Sequence, residues 1–187
     1  MVIEQPRYKV IRKDGKFEIR EYESYILAQV EIESNWSSAL NSGFRILADY
    51  IFGNNKRKAR IAMTAPVTEQ AARQSEKIAM TAPVTSTMLG EQKHRISFTM
   101  PGKYTMETLP EPNSQDISFT RVERHKTAVI RFSGYMNEGL AKKRSEELRQ
   151  WLKDNAIEAT SGFVYAQYNP PWIPGVFRRN EIIVDIA

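Results

Sequence analysis

Few residues of this chain are equipped for chemistry. His94 and His125 are the only imidazoles, and cysteine is absent. Disulfides and thiolate metal sites are therefore excluded, and a zinc centre built on imidazole lacks donors. His125 is expected in a hairpin turn and His94 at the start of a strand, so both read as surface residues rather than metal ligands. Met63, Met80, Tyr165 and Tyr168 are types that can ligate iron, but a methionine on a strand face reads as packing. The densest basic stretch, Lys56-Arg57-Lys58-Ala59-Arg60, could meet a phosphate or a propionate; it reads instead as a solvated turn after a helix, where cations complement the dipole. No catalytic residue is assigned, no metal site is assigned, and the chain reads as a binding protein rather than an enzyme.

The most conspicuous pattern carries no chemistry. Ile-Ala-Met-Thr-Ala-Pro-Val-Thr stands at Ile61–Thr68 and again, letter for letter, at Ile78–Thr85. Neither copy holds an acid, a base or a strong nucleophile. Its period-two alternation predicts half-buried strands in a barrel wall, and Pro66 and Pro83 restrict them to edges or bulges.

Bulk composition sets the remaining limits. The 187 residues, 41% hydrophobic and 26% charged, fit one globular domain over 1–187. The formal net charge of +5 is mild and its basic residues are dispersed, which argues against nucleic acid as a partner. The N-terminal residues lack the pattern of a secretory signal, and no apolar run reaches the length of a membrane span. A soluble, cytoplasmic protein without membrane contact, monomeric or weakly dimeric, is expected.

The elements follow from periodicity. Strands are predicted from Arg7 to Glu33, broken by the hairpin signal Asp14-Gly15. A helix capped by Asn35 runs from Trp36 to about Phe52, with Trp36, Leu40, Phe44, Leu47 and Ile51 as its apolar stripe and Gly53 as its stop. Thr85 to Gln92 reads as a loop, and His94 to Met100 as a strand. After a loop from Lys103 to Gln115 come strands Ile117–Val122 and Thr127–Gly134, with the turn at Arg124-His125-Lys126. Asn137 caps a second helix over Glu138 to Asp154, burying Leu140, Leu148, Trp151 and Leu152. Strands Phe163–Tyr168 and Glu181–Ile186 enclose a stiff loop, Asn169-Pro170-Pro171-Trp172-Ile173-Pro174-Gly175. The order hairpin, apolar strand, helix, strands occurs twice. It predicts an α+β fold: a distorted antiparallel β-barrel of two pseudo-symmetric halves flanked by two α-helices.

Several stretches together resemble the SOUL family of haem-binding proteins. They are Ile78–Val84, Phe98-Thr99-Met100-Pro101, Tyr104-Thr105, Thr108-Leu109-Pro110, Ala128–Gly134, Tyr168-Asn169-Pro170-Pro171-Trp172 and Arg178-Arg179-Asn180-Glu181, with Pro6-Arg7-Tyr8, Glu18-Ile19-Arg20 and Tyr22 near the start. The resemblance spans essentially the whole chain. It implies the same barrel, similar to gyrase-inhibitor-like effector-binding domains, and non-covalent binding of haem or a related tetrapyrrole, as carrier or buffer. The family's apolar cleft lies beside the first helix and the loop between the last two strands, here Trp36–Ile51 and Asn169–Arg179. The implied site residues are Leu40, Phe44, Leu47, Trp172, Ile173 and Phe177 for the porphyrin plane, and Arg178 and Arg179 for the propionates. One branch of the family uses a histidine ligand in its N-terminal half; this chain has none before His94, so weak or absent axial ligation is expected. The alternative readings are an effector- or partner-binding module with the same barrel and no physiological haem, and hydrolysis through Glu181.

Overall fold

Stretches of period two become strands and stretches of period 3.6 become helices. The computed structural model describes residues 3–58 and 75–187. In order these are β1 (Tyr8–Asp14), β2 (Phe17–Tyr22), β3 (Tyr25–Glu33), α1 (Trp36–Phe52), β4 (Asn55–Lys56), β5 (Val84–Met88), β6 (Lys93–Thr99), β7 (Glu111–Pro112), β8 (Ser118–Val122), β9 (His125–Phe132), α2 (Glu138–Asp154), β10 (Val164–Gln167) and β11 (Asn180–Ile186). Both helices match the expected spans, because both carry the capping chemistry that sets their ends. The Asn35 side chain accepts from Ser38 N–H at 3.0 Å, and Asn137 accepts from Leu140 N–H at 2.9 Å. Gly53 closes α1 at φ +128°, a conformation glycine adopts without steric cost.

Nine strands form one antiparallel sheet in the order β1-β2-β9-β11-β10-β5-β6-β3-β8, and β4 pairs with β7 apart from it. The duplication is visible in that order. β8-β3-β6-β5 carries α1, and β2-β9-β11-β10 carries α2. Each half takes its outer strand from the other half of the sequence, and the two meet where β5 pairs with β10. The sheet curls into a half-barrel flanked by two helices, the α+β architecture expected.

One face of the sheet is apolar. Ala28, Val30, Ile96 and Phe98 pack against Leu47 and Ile51 of α1; Ala128, Ile130 and Ile182 pack against Leu148, Trp151 and Leu152 of α2. Each fully buried aliphatic side chain contributes about 1.5–3 kcal/mol. The core face of α1 differs from the expected stripe. Ala39, Gly43, Leu47, Tyr50 and Ile51 are buried, while Trp36, Leu40 and Phe44 run along its flank. Small residues draw this helix onto the sheet: a Cβ at Gly43 would lie 2.5 Å from Cγ1 of Ile96. Gly43→Ala is therefore expected to lose about 1–3 kcal/mol by overpacking, outweighing its helix-propensity gain of about 1 kcal/mol. Urea unfolding would read this, and an unchanged or raised midpoint would refute it.

Only the second copy of the octapeptide can be followed, and it is not a wall strand along its length. The first copy, with Met63, lies outside the described residues, as do Ala59 and Arg60 of the basic stretch. In the second copy only Val84 and Thr85 enter a strand, β5. Ile78 to Pro83 runs irregularly, its N–H groups turned to other chain segments: Ile78 donates to the Ile51 carbonyl and Ala82 to that of Glu4. Pro83, which lacks an N–H, follows a cis peptide and stands just before the ladder begins. The segment expected as a loop, Thr85–Gln92, instead supplies most of β5, because Thr85 and Thr87 face the polar side of the sheet while Val84 and Ser86 face the helices.

Candidate functional site

The loop joining β10 to β11 is built to stand still. Pro170, Pro171 and Pro174 limit its backbone, and hydrogen bonds close it: Ile173 N–H to Pro170 O at 3.2 Å, Phe177 N–H to Pro174 O at 3.0 Å, Arg178 N–H to Gly175 O at 3.0 Å. The Arg178 side chain pins it further, with Nε donating to Ile173 O at 2.7 Å, Nη2 donating to Pro171 O, and the guanidinium 4.5 Å over the Tyr135 ring. Gly175 rests directly on that ring, where a Cβ would meet Tyr135 Cε2 at 2.7 Å. Rigidity is thus invested in a loop whose large apolar side chains face water: Trp172 is 78% exposed, Val176 74% and Phe177 76%. Ile173 is half-buried.

Strand register places this loop at the same end of the sheet as Phe44. Gln167, from which the loop leaves, pairs with Val84; Val84 pairs with Phe98; and Phe98 meets Phe44 edge-on at 5.4 Å. Two strand spacings of about 4.8 Å separate them. Phe44 is 37% exposed and Leu40 half-buried beside it. Leu47 belongs elsewhere. It is fully buried in the α1 core, one turn further along the helix and beneath it, so it supports the helix and presents no surface to a ligand.

The two expected propionate cations both border the cavity beside Phe177 but are held by different partners. Arg178 stays on the loop as its staple. Arg179 turns inward, stacking 3.9 Å over Tyr168 and donating from Nε to Glu181 at 2.9 Å, from Nη1 to Gln5 and from Nη2 to Tyr8. Lys13, Lys16 and Arg131 join Arg178 and Arg179 beside Phe177, around a cavity of about 440 Å3 that Val176 and Glu18 also line. The first three come from the β1–β2 hairpin and β9, far in sequence from the loop.

The curled sheet's inner face, opposite the helices, is polar and holds a buried charge network. Arg20 is fully buried, and its guanidinium donates bidentately to Glu181 at 2.8 and 2.9 Å, to Glu18 at 2.7 Å and to the Tyr22 hydroxyl at 3.1 Å. The Tyr168 hydroxyl donates to Glu181 at 2.7 Å. Two arginines thus balance two carboxylates. Burial alone would raise the Glu181 carboxyl, but the hydrogen bonds and charge of Arg20, with Arg179 and Tyr168, hold it below the usual carboxylate range. Burial pushes the Tyr22 hydroxyl up to about 12, against the pull of Arg20. Glu181 therefore has both oxygens committed, a poor state for a general base or nucleophile. Tyr168 is likewise engaged. Arg20 had one signal in the sequence: Glu18, Arg20 and Tyr22 alternate with the core residues Phe17 and Ile19, which sends polar groups to a second face.

His94 is buried, while His125 is half-buried at the start of a strand. His125 opens β9, stacks on Tyr22 at 5.7 Å, and donates from Nδ1 to the Glu123 carbonyl at 2.8 Å; its Nε2 lies 3.6 Å from Asp185. His94 is 3% exposed. It shares the helix-facing side of β6 with Ile96 and Phe98 and lines a cavity of about 550 Å3 between the start of α1 and α2. The strand's alternation begins one residue before it, at Lys93, so His94 falls in the buried register. Among the described residues there is no cluster of three metal-ligating side chains and no helix long and apolar enough to cross a membrane.

Comparison with known proteins bears on the family and the fold. The family model described as "SOUL heme-binding protein" matches residues 3–185. The chain is 28% identical over 174 residues to "Heme-binding protein 2" of Homo sapiens, covering 90% of this chain and 77% of that protein. It is 26% identical over 172 residues to "Heme-binding protein 1" of Xenopus laevis, covering 91% and 84%. Among solved structures, the EcmrR C-terminal domain superposes with a TM-score of 0.61 at 12% identity, covering 96% of this chain and 98% of that one. A structure described as a hydrolase from Listeria innocua gives 0.59 at 11% identity, covering 95% and 94%. At these identities the two structures speak to the fold alone.

Proposed function

The chain belongs to the SOUL haem-binding protein family, and from that premise we propose that it binds haem or a related tetrapyrrole non-covalently, as a carrier or buffer. Haem brings a flat apolar plane, two carboxylates and an iron that takes axial donors. The plane would lie against Trp172, Ile173 and Phe177, with Phe44 and Leu40 at the facing edge of α1. The carboxylates would meet Arg178, Lys13 and Arg131. Leu47 and Arg179 would act from behind, one seating the helix and the other tying the loop's end to the inner network.

One observation carries the reading: three large apolar side chains are held exposed on a proline-stiffened, hydrogen-bonded loop beside a cationic cavity. Isolated exposed apolar residues are ordinary, but a clustered and rigid set marks an interaction surface, and its rigidity lowers the entropy lost on binding. The test is hemin titration followed at the Soret band. A saturable change is expected, with metal-free porphyrin also quenching tryptophan fluorescence and unrelated planar dyes failing to do so. No saturable change would overturn the proposal. Equal quenching by all planar ligands would favour an effector-binding module, a reading supported by the aromatic inner groove of about 260 Å3 that Tyr8, Tyr22, Tyr25 and Tyr168 line.

A further inference from the structure

The cavity between the two helices shares no residue with the loop site. Its volume of about 550 Å3 falls within the range of about 300–1,000 Å3 typical of small-molecule sites. Three aromatic rings line it, Trp36, Phe163 and Tyr165, with the Trp36 and Tyr165 centroids 5.5 Å apart. Their polar ends are already satisfied: Trp36 Nε1–H donates to Ser86 Oγ at 3.0 Å, and the Tyr165 hydroxyl bonds Ser145 at 3.3 Å. What they offer the cavity is ring surface. Lys142 and Arg149 of α2 stand in its wall, with Glu91, Glu138 and Glu146 beside them; Arg149 is paired with Glu146 and lies over Phe163.

His94 is the nitrogen base of this lining. It is 3% exposed and borders the cavity, where a ligand could reach its imidazole. Met88 lies directly across the β5–β6 pair from it, so a thioether stands on the same face. A nitrogen donor and aromatic walls describe a ligand that is flat, apolar and able to accept a nitrogen at its centre, with Lys142 and Arg149 the cations within reach of its edge.

We propose that the interhelical cavity is a second haem-binding site in which His94 is the axial nitrogen donor. The proposal rests on the reading that the chain takes haem, but it uses different residues from those of the loop. Hemin titration of the wild-type protein is expected to show two phases, one bearing the absorbance signature of histidine-ligated iron. His94→Ala removes that phase and its equivalent of haem, leaving the other; free imidazole restores the signature, which a merely structural histidine would not allow. His125→Ala leaves both phases intact. Should His94→Ala fail to fold, the exposed pair Lys142→Glu with Arg149→Glu provides the same reading: the histidine phase weakens by about tenfold or more while the loop phase stays. The proposal is overturned if wild-type protein binds hemin saturably and His94→Ala, or the charge-reversed pair, matches it in spectrum and stoichiometry. If wild-type protein shows no saturable change, the haem reading itself falls.

Discussion

Arg20→Met is expected to lower the unfolding free energy by about 3–5 kcal/mol at pH 7, the usual cost of removing one partner from a buried ion pair. Glu181 would keep Arg179 and the Tyr168 hydroxyl but lose two hydrogen bonds and the charge nearest to it. It is fully buried, away from bulk solvent. Glu18 would lose its hydrogen bond from Arg20 at the same stroke and keep only Lys13 at 3.8 Å. The same network sets a pH dependence. Because the folded-state pKa of Glu181 is depressed, its contribution is complete above the pKa of an unfolded glutamate, about 4.3, and is lost as pH falls through the lower folded value. With Arg20 gone, the chief source of that depression goes too, so the acid limb of the stability curve should move to higher pH. Urea unfolding at pH 7 and at a series of acid pH values checks both. A loss under about 1 kcal/mol would show that the network is not the structural keystone its burial suggests.

Removing the loop's aromatic surface should do the opposite, sparing stability and costing affinity. Trp172 and Phe177 are exposed by 78% and 76%, so Trp172→Ala with Phe177→Ala leaves the core untouched, and a change in unfolding midpoint is not expected. In the complex each side chain would be covered by the porphyrin plane. Burial of a large apolar side chain contributes about 1.5–3 kcal/mol, so the pair should weaken haem binding at the loop roughly a hundredfold or more, taking about 1.4 kcal/mol per decade. Measuring this in a His94→Ala background isolates the loop site from the interhelical one. Unchanged affinity in the double variant would move the site away from the loop.

The sequence by itself determined what depends on neighbours along the chain. Asn35 and Asn137 as caps, Gly53 as a stop and the switch of apolar period from two to 3.6 placed both helices at Trp36–Phe52 and Glu138–Asp154, since capping and amphipathicity are local. The duplicated element order was legible for the same reason, and so was the proline-stiffened loop with Trp172, Ile173 and Phe177. What the tertiary structure alone decided depends on partners far away in sequence. Arg20 and Glu181 are 161 residues apart, and nothing near either shows that the inner face of a curled sheet would bury them together. His94 reads as a strand-end histidine until β6 is paired between β3 and β5 and the interhelical cavity lies over it. Arg179 sits in a basic pair beside the loop, yet strand register turns it inward, while Lys13 and Arg131 arrive beside Phe177 from other strands. Local pattern chooses the elements; the two-faced, curled sheet chooses which polar side chains are buried, and the candidate sites follow from that second choice.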